Sequence, residues 1–290
     1  MTVGGNMLII ALFLQMQHLH TPMYYFLSHL SLTDICLSTS VVPNMLCTLL
    51  GDGEAMPISG CVTQLFAAGS FTAAECFILT IMSYDRYLAI CNPLNYITIM
   101  AHYLRVGLVT LAWFLSLLFC LIMIIPMYHL NFCGCNIMDY IYCDFAPLME
   151  MSCESASILE IMSTVIAIPT CLLPLVFIIF TYSSIFFSIL RISTSSGRQK
   201  AFSTCSSHLL VVCTFYMILI AKYMVPTRRQ SMNINKVVSL LYTAVTPLLN
   251  PIIYSLRNKE IRTAVRKLNS IWISRDLILL FLIKESFLKL

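Results

Sequence analysis

The chain has 290 residues, of which 59% are hydrophobic and 10% are charged, and its formal net charge is +4. A soluble globular domain carries about 25% charged residues, so this composition argues against a water-soluble protein and predicts a membrane protein. The net charge is small and no run of basic residues stands out. We therefore expect a membrane-lipid environment and no nucleic-acid partner.

Apolar segments follow one another along the chain and predict its architecture. A helix needs about 20 residues to cross a bilayer, and all but the first of these segments reach that length. The first, with sixteen residues, would span only about 24 Å. We therefore expect an all-α bundle of seven membrane helices whose first helix is incomplete or lacks its natural start. The segments are 1–16, 23–50, 61–85, 104–126, 156–190, 201–224 and 236–256.

Basic residues are divided unevenly between the two sets of segment ends. Ten lysines and arginines fall on the side that holds Arg86, Arg105 and 191–200, whereas four fall on the side that holds Lys222 and Lys236. Because Lys and Arg favour cytoplasmic loops, the first side is expected to be cytoplasmic and the N-terminus to lie outside. Seven spans in this orientation favour a signalling protein over a transporter.

The thirteen cysteines form two groups. Eight lie in or beside the apolar segments, where free cysteine behaves as a small hydrophobic residue. The other five lie on the expected outer side, where disulfides form, and an odd number leaves one over. A zinc site is disfavoured, because one residue between two of them is tighter than the usual zinc-ligand spacing. The five are Cys61, Cys133, Cys135, Cys143 and Cys153.

The adjacent charges Asp85 and Arg86 end the third apolar segment. Arg86 lies 25 residues after Cys61, or about 38 Å along a helix, whereas the hydrocarbon core is about 30 Å thick. The pair is therefore expected at the cytoplasmic mouth of the bundle. Two interpretations stay open from the position alone: Arg86 anchors the helix end by snorkelling, or it meets a cytoplasmic partner.

The stretch "SYDRYLAICNPLNY" resembles the third-helix end of rhodopsin-like G-protein-coupled receptors, in the form typical of olfactory receptors. Three further stretches agree in order: "LHTPMYYFLSHLSLTD" at 19–34, "KAFSTCSSHL" at 200–209 and "PLLNPIIYSLRNKEI" at 247–261. The resemblance covers residues 4–268. It implies seven helices with the N-terminus outside, followed by a short cytoplasmic amphipathic helix.

The resemblance also implies a function and a domain organisation. Such a receptor binds a small-molecule odorant, activates a heterotrimeric stimulatory olfactory G protein and raises cyclic AMP, in the plasma membrane of sensory cilia. Residues 1–268 would form the receptor domain. Residues 269–290 do not resemble the family. They either lie on the membrane surface or arise from read-through in an imperfect gene assignment.

The resemblance implies which residues form the switch that couples the receptor to its G protein at the cytoplasmic end. Arg86 would pair with Asp85 at rest and turn toward the G protein on activation, while the two tyrosines Tyr182 and Tyr254 would swing inward. An asparagine and a proline would place an irregular turn in the seventh helix, because proline cannot donate a backbone hydrogen bond. The implied set is Asp85, Arg86, Tyr87, Tyr182, Asn250, Pro251 and Tyr254.

Acidic residues inside apolar segments are costly and mark functional positions. Asp34 and Glu75 are two such residues, and with Asn6 and Asn250 they resemble the polar core of the family. The resemblance implies a sodium ion or water there. The alternative is that one or both acids are protonated and simply hydrogen-bonded.

The expected ligand pocket lies in the outer half of the bundle. Four residues of the third segment recur at helical spacing and form one stripe, and the resemblance supplies the facing residues on the sixth and seventh segments. A mostly apolar cavity with a few hydroxyls suits a small volatile organic molecule. Each position is also compatible with ordinary packing. The residues are Leu65, Ala68, Gly69, Thr72, Tyr216, Leu219, Ile220, Tyr223, Leu240 and Thr243.

Two disulfides are implied by the resemblance, Cys61 with Cys143 and Cys133 with Cys153, which leaves Cys135 over. Spacing alone does not fix the connectivity, so Cys135 competes with Cys133.

Rival functions find less support in the sequence. An intramembrane protease would need paired catalytic residues, and a transporter would show internal repeats. We therefore expect no enzyme and no cofactor other than the sodium ion. The closest alternatives are a non-olfactory receptor of the same superfamily and a truncated, non-functional family member.

Overall fold

The computed structural model describes residues 1–51, 56–132, 138, 140–153, 157–224, 232–257 and 261–266, with side chains left out at 157, 200, 204, 223–224, 232–235 and 255–257. Within these residues, six helical spans are long and apolar enough to cross a membrane, and a shorter apolar helix precedes them. The chain is thus a bundle of seven helical membrane segments, which confirms the predicted architecture. We call each segment a rod and number the rods in chain order, because some of them contain more than one helix.

The first three rods are continuous helices. α1 is Thr2–Gln15, α2 is Pro22–Leu50 and α3 is Ile58–Cys91. Proline at the first position of α2 suits a helix start, since its missing N–H has no helical partner there. α3 packs on α2 and on the helices of the fourth, fifth and sixth rods, so it is the central helix of the bundle. With 34 residues, it is about 51 Å long.

The middle of the chain supplies the fourth and fifth rods. After the short helix α4, Tyr96–Ile99, the fourth rod is α5, His102–Met127. A short helix of the second outer loop, α6, is Phe145–Glu150. The fifth rod consists of α7, a π-helical turn and α8. Their bounds are Ser157–Ala167, Ile168–Leu172 and Leu173–Leu190.

The sixth rod is α9, Ser195–Met224, and the seventh again contains a π-helical turn. The seventh rod is built from α10, the turn and α11, with bounds Met232–Leu240, Leu241–Val245 and Thr246–Arg257. Residues 261–266 form one further helical stretch, where the cytoplasmic helix was expected.

The irregular turn of the seventh rod was predicted at the wrong place. Asn250 and Pro251 lie inside regular α11, one to two turns after the π turn. Pro251 has no N–H for the carbonyl of Pro247, four residues earlier. Asn6 of α1 replaces the missing donor: its Nδ2 donates a hydrogen bond to the carbonyl oxygen of Pro247 at 3.0 Å. A neighbouring helix thus satisfies the freed acceptor and α11 stays regular.

The second outer loop is tied to α3. Cys61 and Cys143 form the predicted disulfide, and Gln64, one turn further along α3, accepts a hydrogen bond from the backbone N–H of Cys143 at 3.1 Å. Cys153 is also disulfide-bonded. Cys133 and Cys135 lie outside the described residues, so the predicted second pairing and the position of the left-over cysteine stay predictions.

Candidate functional site

A large cavity opens in the outer half of the bundle, beneath the second outer loop. Its volume is about 990 Å³, and α3, α5, the fifth rod, α9 and the seventh rod form its walls, with α6 over it. This volume lies at the upper end of the range for small-molecule sites. Six of the residues expected for the pocket line it: Leu65, Ala68, Gly69, Thr72, Leu219 and Thr243.

Three other expected pocket residues lie elsewhere. Ile220 and Leu240 do not line the cavity, and their side chains are 45% and 38% exposed on the outer surface of the bundle. Tyr216 is buried, but it packs in the hydrophobic core rather than against the cavity. The side chain of Tyr223 lies outside the described residues.

The polar groups of the cavity form pairs that the sequence pattern did not indicate. The Tyr242 hydroxyl donates to Thr72 Oγ1 at 2.5 Å, and the Tyr140 and Ser239 hydroxyls lie 2.7 Å apart. Both tyrosines also line the cavity. Hydroxyl groups are therefore concentrated along the seventh rod, where it faces α3 and the second outer loop. Only Thr72 and Thr243 of this region were in the expected set.

An ion pair stands at the outer end of the cavity. Nζ of Lys222 on α9 lies 2.9 Å from Asp144 Oδ2 of the second outer loop and donates to the Tyr142 hydroxyl at 3.2 Å. Burial, and then the Asp144 charge, raise the pKa of Tyr142 to about 12, so this hydroxyl stays protonated. The sequence marked Lys222 only as one of the few outer-side cations.

The cytoplasmic end of α3 holds a second charge pair, and this one is buried. Arg86 pairs with Asp85, its Nε lying 3.0 Å from Asp85 Oδ2. The hydroxyl of Tyr96 on α4 donates to the other carboxylate oxygen at 2.8 Å. Burial, followed by the Asp85 charge, raises the pKa of Tyr96, so it remains a donor. Tyr87, next on α3, stacks on Tyr84.

Two tyrosines of the expected switch lie close to this pair. Tyr182 of the fifth rod hydrogen-bonds to Nδ1 of His208 on α9 and stacks on its ring. Tyr254 of α11 is fully buried, and its hydroxyl has no hydrogen-bond partner among the described residues. His208 belongs to the stretch "KAFSTCSSHL", but its pairing with Tyr182 depends on the packing of two distant rods.

The polar core lies between the cavity and the cytoplasmic end. Asp34, Glu75, Asn6 and Asn250 are all buried, and Asn250 Nδ2 donates to both carboxylate oxygens of Asp34 at 3.0 Å. Asp34 and Glu75 lie close enough for their charges to interact. No donor among the described residues meets hydrogen-bond geometry at either Glu75 oxygen. Asp34 and Tyr242 are the polar neighbours of Glu75 in this core.

Comparison with known proteins agrees with this geometry. The profile of the family described as "Olfactory receptor" matches residues 1–270. Human "Olfactory receptor 9Q2" is 43% identical over 92% of this chain and 85% of its own length, and human "Olfactory receptor 5G3" has the same values. Gorilla "Olfactory receptor 1G1" is 42% identical over 94% of the chain and 86% of its own length.

The fold is likewise that of a known receptor. The crystal structure of squid rhodopsin superposes with a TM-score of 0.76 over 92% of this chain and 76% of that chain, at 18% sequence identity. A likeness at this identity concerns the fold alone. The family profile and the relatives extend over nearly the whole chain, and their members are receptors rather than enzymes. This multi-pass membrane protein therefore belongs to the olfactory receptor family.

Proposed function

We propose that this protein is an odorant receptor of the plasma membrane, in sensory cilia by family. A small, mostly apolar volatile ligand binds in the outer cavity, and the bundle then activates a stimulatory olfactory-type heterotrimeric G protein that raises cyclic AMP. The observation that carries this proposal is a large cavity and a buried Asp85–Arg86 pair at opposite ends of the same helix, α3, in a chain of this family.

The proposed mechanism starts from the resting arrangement of the switch. Arg86 is held by Asp85, and Asp85 by the hydroxyl of Tyr96. A ligand shifts such an equilibrium only by its differential affinity for the two states. Breaking a buried ion pair costs about 3–5 kcal/mol, so the ligand must favour the open state by about that much. Arg86 then turns toward the G protein, and Tyr182 and Tyr254 move inward to hold the open state.

The test is ligand-stimulated nucleotide exchange on the olfactory G protein, in membranes from cells that express the receptor. We expect exchange with the wild type and at least about a tenfold loss with Arg86→Ala, because truncating an arginine that anchors an interface costs about 2 kcal/mol or more. Arg191→Ala, which removes an exposed cation at the cytoplasmic end of α8, is the matched control. Equal exchange by the two variants at equal receptor level would contradict the switch role.

A sodium ion in the polar core is a second part of the proposal. The fit rests on the two buried carboxylates and on the Glu75 oxygens without a described hydrogen-bond donor. Asp34 and Glu75 would hold the ion, which would compensate their charge and favour the resting state.

We expect Asp34→Ala to impair signalling, because it removes one ligand of the core and leaves Asn250 without its acceptor. The measurement is ligand-induced cyclic AMP, with surface receptor counted in the same cells. A normal response at a normal surface level would refute this role.

A further inference from the structure

Two thiols lie side by side at the inner end of the cavity, and the proposed function gives them no role. Cys76 of α3 and Cys171 of the fifth rod are 95 residues apart in the chain, yet their sulfurs are 3.9 Å apart. α3 packs against the π turn that carries Cys171, which brings the two together. Neither is disulfide-bonded. The fold therefore assembles a dithiol from residues that the sequence pattern treats as small hydrophobic ones.

Access to the two thiols is unequal. Cys171 lines the cavity and is half-buried, whereas Cys76 is fully buried and does not line it. A cavity of about 990 Å³ admits a molecule slightly larger than water, whose share of the liquid volume is about 30 Å³. A small oxidant that enters the cavity therefore meets Cys171 first. An accessible thiol with a resolving cysteine beside it is the arrangement of redox-sensing pairs.

Hydrogen bonds orient the two S–H groups. The Thr170 hydroxyl donates to the carbonyl of Ile166 at 2.7 Å, so its single proton is in use. The S–H of Cys171 therefore donates to Thr170 Oγ1, 3.7 Å away, and the S–H of Cys76 donates to Cys171 Sγ. The thiol of Cys76 thus points at the sulfur on which negative charge develops when Cys171 acts as a nucleophile, and it stabilises that charge.

The backbone around Cys171 is not regular α-helix. Cys171 lies in the π turn Ile168–Leu172, and such turns occur frequently at functional sites. A disulfide requires about 2.05 Å between the sulfurs, so the two must approach by about 1.9 Å from their present distance. Rotation about the two Cα–Cβ bonds and a small adjustment of the turn provide an approach of this size.

We propose that Cys171 and Cys76 form a redox-sensitive dithiol, which small hydroperoxides oxidise to a disulfide. In the first step the Cys171 sulfur attacks a peroxide oxygen: an S–O bond forms, the O–O bond breaks, and the thiol proton leaves with the other oxygen as water or an alcohol. In the second step the Cys76 sulfur attacks Cys171: an S–S bond forms, the S–O bond breaks, and the Cys76 proton leaves with the hydroxyl group as water. The two thiols together lose two electrons, and the peroxide gains them.

The disulfide would join α3 to the fifth rod covalently. It closes a long loop, since 95 positions separate the two cysteines, and a cross-link of this kind restrains the unfolded chain. The oxidised receptor is therefore expected to be more stable than the reduced one. The inference goes beyond the proposed function, because it requires neither an odorant nor a G protein.

The experiment exposes the purified receptor to hydrogen peroxide, with dimedone present in a parallel sample to trap sulfenic acid. The protein is then denatured, its remaining thiols are blocked with N-ethylmaleimide, and its peptides are identified by mass spectrometry. The variants are Cys171→Ser, Cys76→Ala and, as the matched control, Cys120→Ala, which removes another thiol that lines the cavity. The thermal unfolding midpoint of every sample is recorded before and after oxidation.

We expect peroxide to link the Cys76 and Cys171 peptides in the wild type and in Cys120→Ala, with the loss of two hydrogen atoms. Cys76→Ala should instead accumulate dimedone on Cys171, because no thiol is left to resolve the sulfenic acid. Cys171→Ser should show neither product. The unfolding midpoint of the oxidised wild type should rise by at least about 2 °C, and that of Cys171→Ser should not.

Recovery of both cysteines as unlinked, N-ethylmaleimide-blocked peptides from the peroxide-treated wild type would overturn the inference, and this result depends on no variant. A link from Cys171 to Cys120 instead of Cys76 would overturn the assigned pairing. Dimedone labelling of Cys171 that is no greater in Cys76→Ala than in the wild type would remove the resolving role of Cys76. Because no odorant or G protein takes part, each of these outcomes leaves the proposed function untouched.

Discussion

Single buried contacts hold Asp85 and Arg86 in place at the cytoplasmic end. The pairing of Asp85 with Arg86 was expected from the resemblance to the receptor family, not from the position of the two residues alone. Tyr96 was not predictable, because it lies eleven residues further along and reaches Asp85 only through the turn between α3 and α4. The same holds for Lys222 and Asp144, which are 78 positions apart and meet across the cavity mouth. Contacts between segments that are far apart in the chain produce no recognisable local pattern in the sequence.

Tyr96→Phe removes the hydrogen bond to Asp85 and nothing else of the side chain. A hydrogen bond to a charged group contributes about 1.5–3 kcal/mol, and part of it favours the resting pair. We expect basal cyclic AMP to rise several-fold at matched surface level. Tyr103→Phe, at a side chain that is 77% exposed, is the control. Equal basal signalling in the two variants would exclude a restraining role for Tyr96.

At the scale of the element, the π-helical turn of the seventh rod explains why Leu240 was wrongly assigned to the pocket. The spans were predictable from length and hydropathy, and so was the face of α3 that lines the cavity, since α3 is regular. The pocket residues assigned to the seventh rod assumed a similarly unbroken helix. A π turn inserts one residue and rotates the helix before it relative to the helix after it. Thr243 within the turn faces the cavity, whereas Leu240 before it faces outward.

The close approach of α1 to α11 depends on one glycine. A Cβ on Gly5 would lie 3.2 Å from both Cβ and Cγ of Pro251, whereas a Cβ on Gly4 would meet nothing within 4 Å. Because the proline ring is rigid, Gly5→Ala must push the helices apart and strain the Asn6–Pro247 hydrogen bond. The absence of a side chain at Gly5 is therefore a packing requirement.

We expect Gly5→Ala to destabilise the purified receptor by about 1–3 kcal/mol, the usual cost of overpacking, and to lower its surface level. Gly4→Ala should be neutral or slightly stabilising, because alanine favours the helix. The measurement is the thermal unfolding midpoint of both variants beside the wild type. A similar midpoint for the two would show that the Gly5 contact does not matter.

At the scale of the whole molecule, α3 joins the three polar regions. Thr72 borders the cavity, Glu75 lies in the polar core less than one turn below, and Arg86 lies near the cytoplasmic end of the helix. Tyr242 of the seventh rod donates to Thr72 and also lies beside Glu75. A ligand that displaces α3 against the seventh rod would therefore act on both the cavity and the core. This continuity is the physical basis of the proposed signalling.

The most direct test of the central claim is a substitution that fills the cavity with a larger side chain. Cyclic AMP is measured in cells that display the receptor with the olfactory G protein, against a broad odorant panel, for the wild type, Ala68→Phe and Gly107→Phe. Ala68 lines the cavity, whereas a Cβ on Gly107 meets open space on the exposed face of α5. We predict a response from the wild type and Gly107→Phe and its loss in Ala68→Phe at equal surface level. An undiminished response in Ala68→Phe would contradict the claim that a ligand in this cavity drives the receptor.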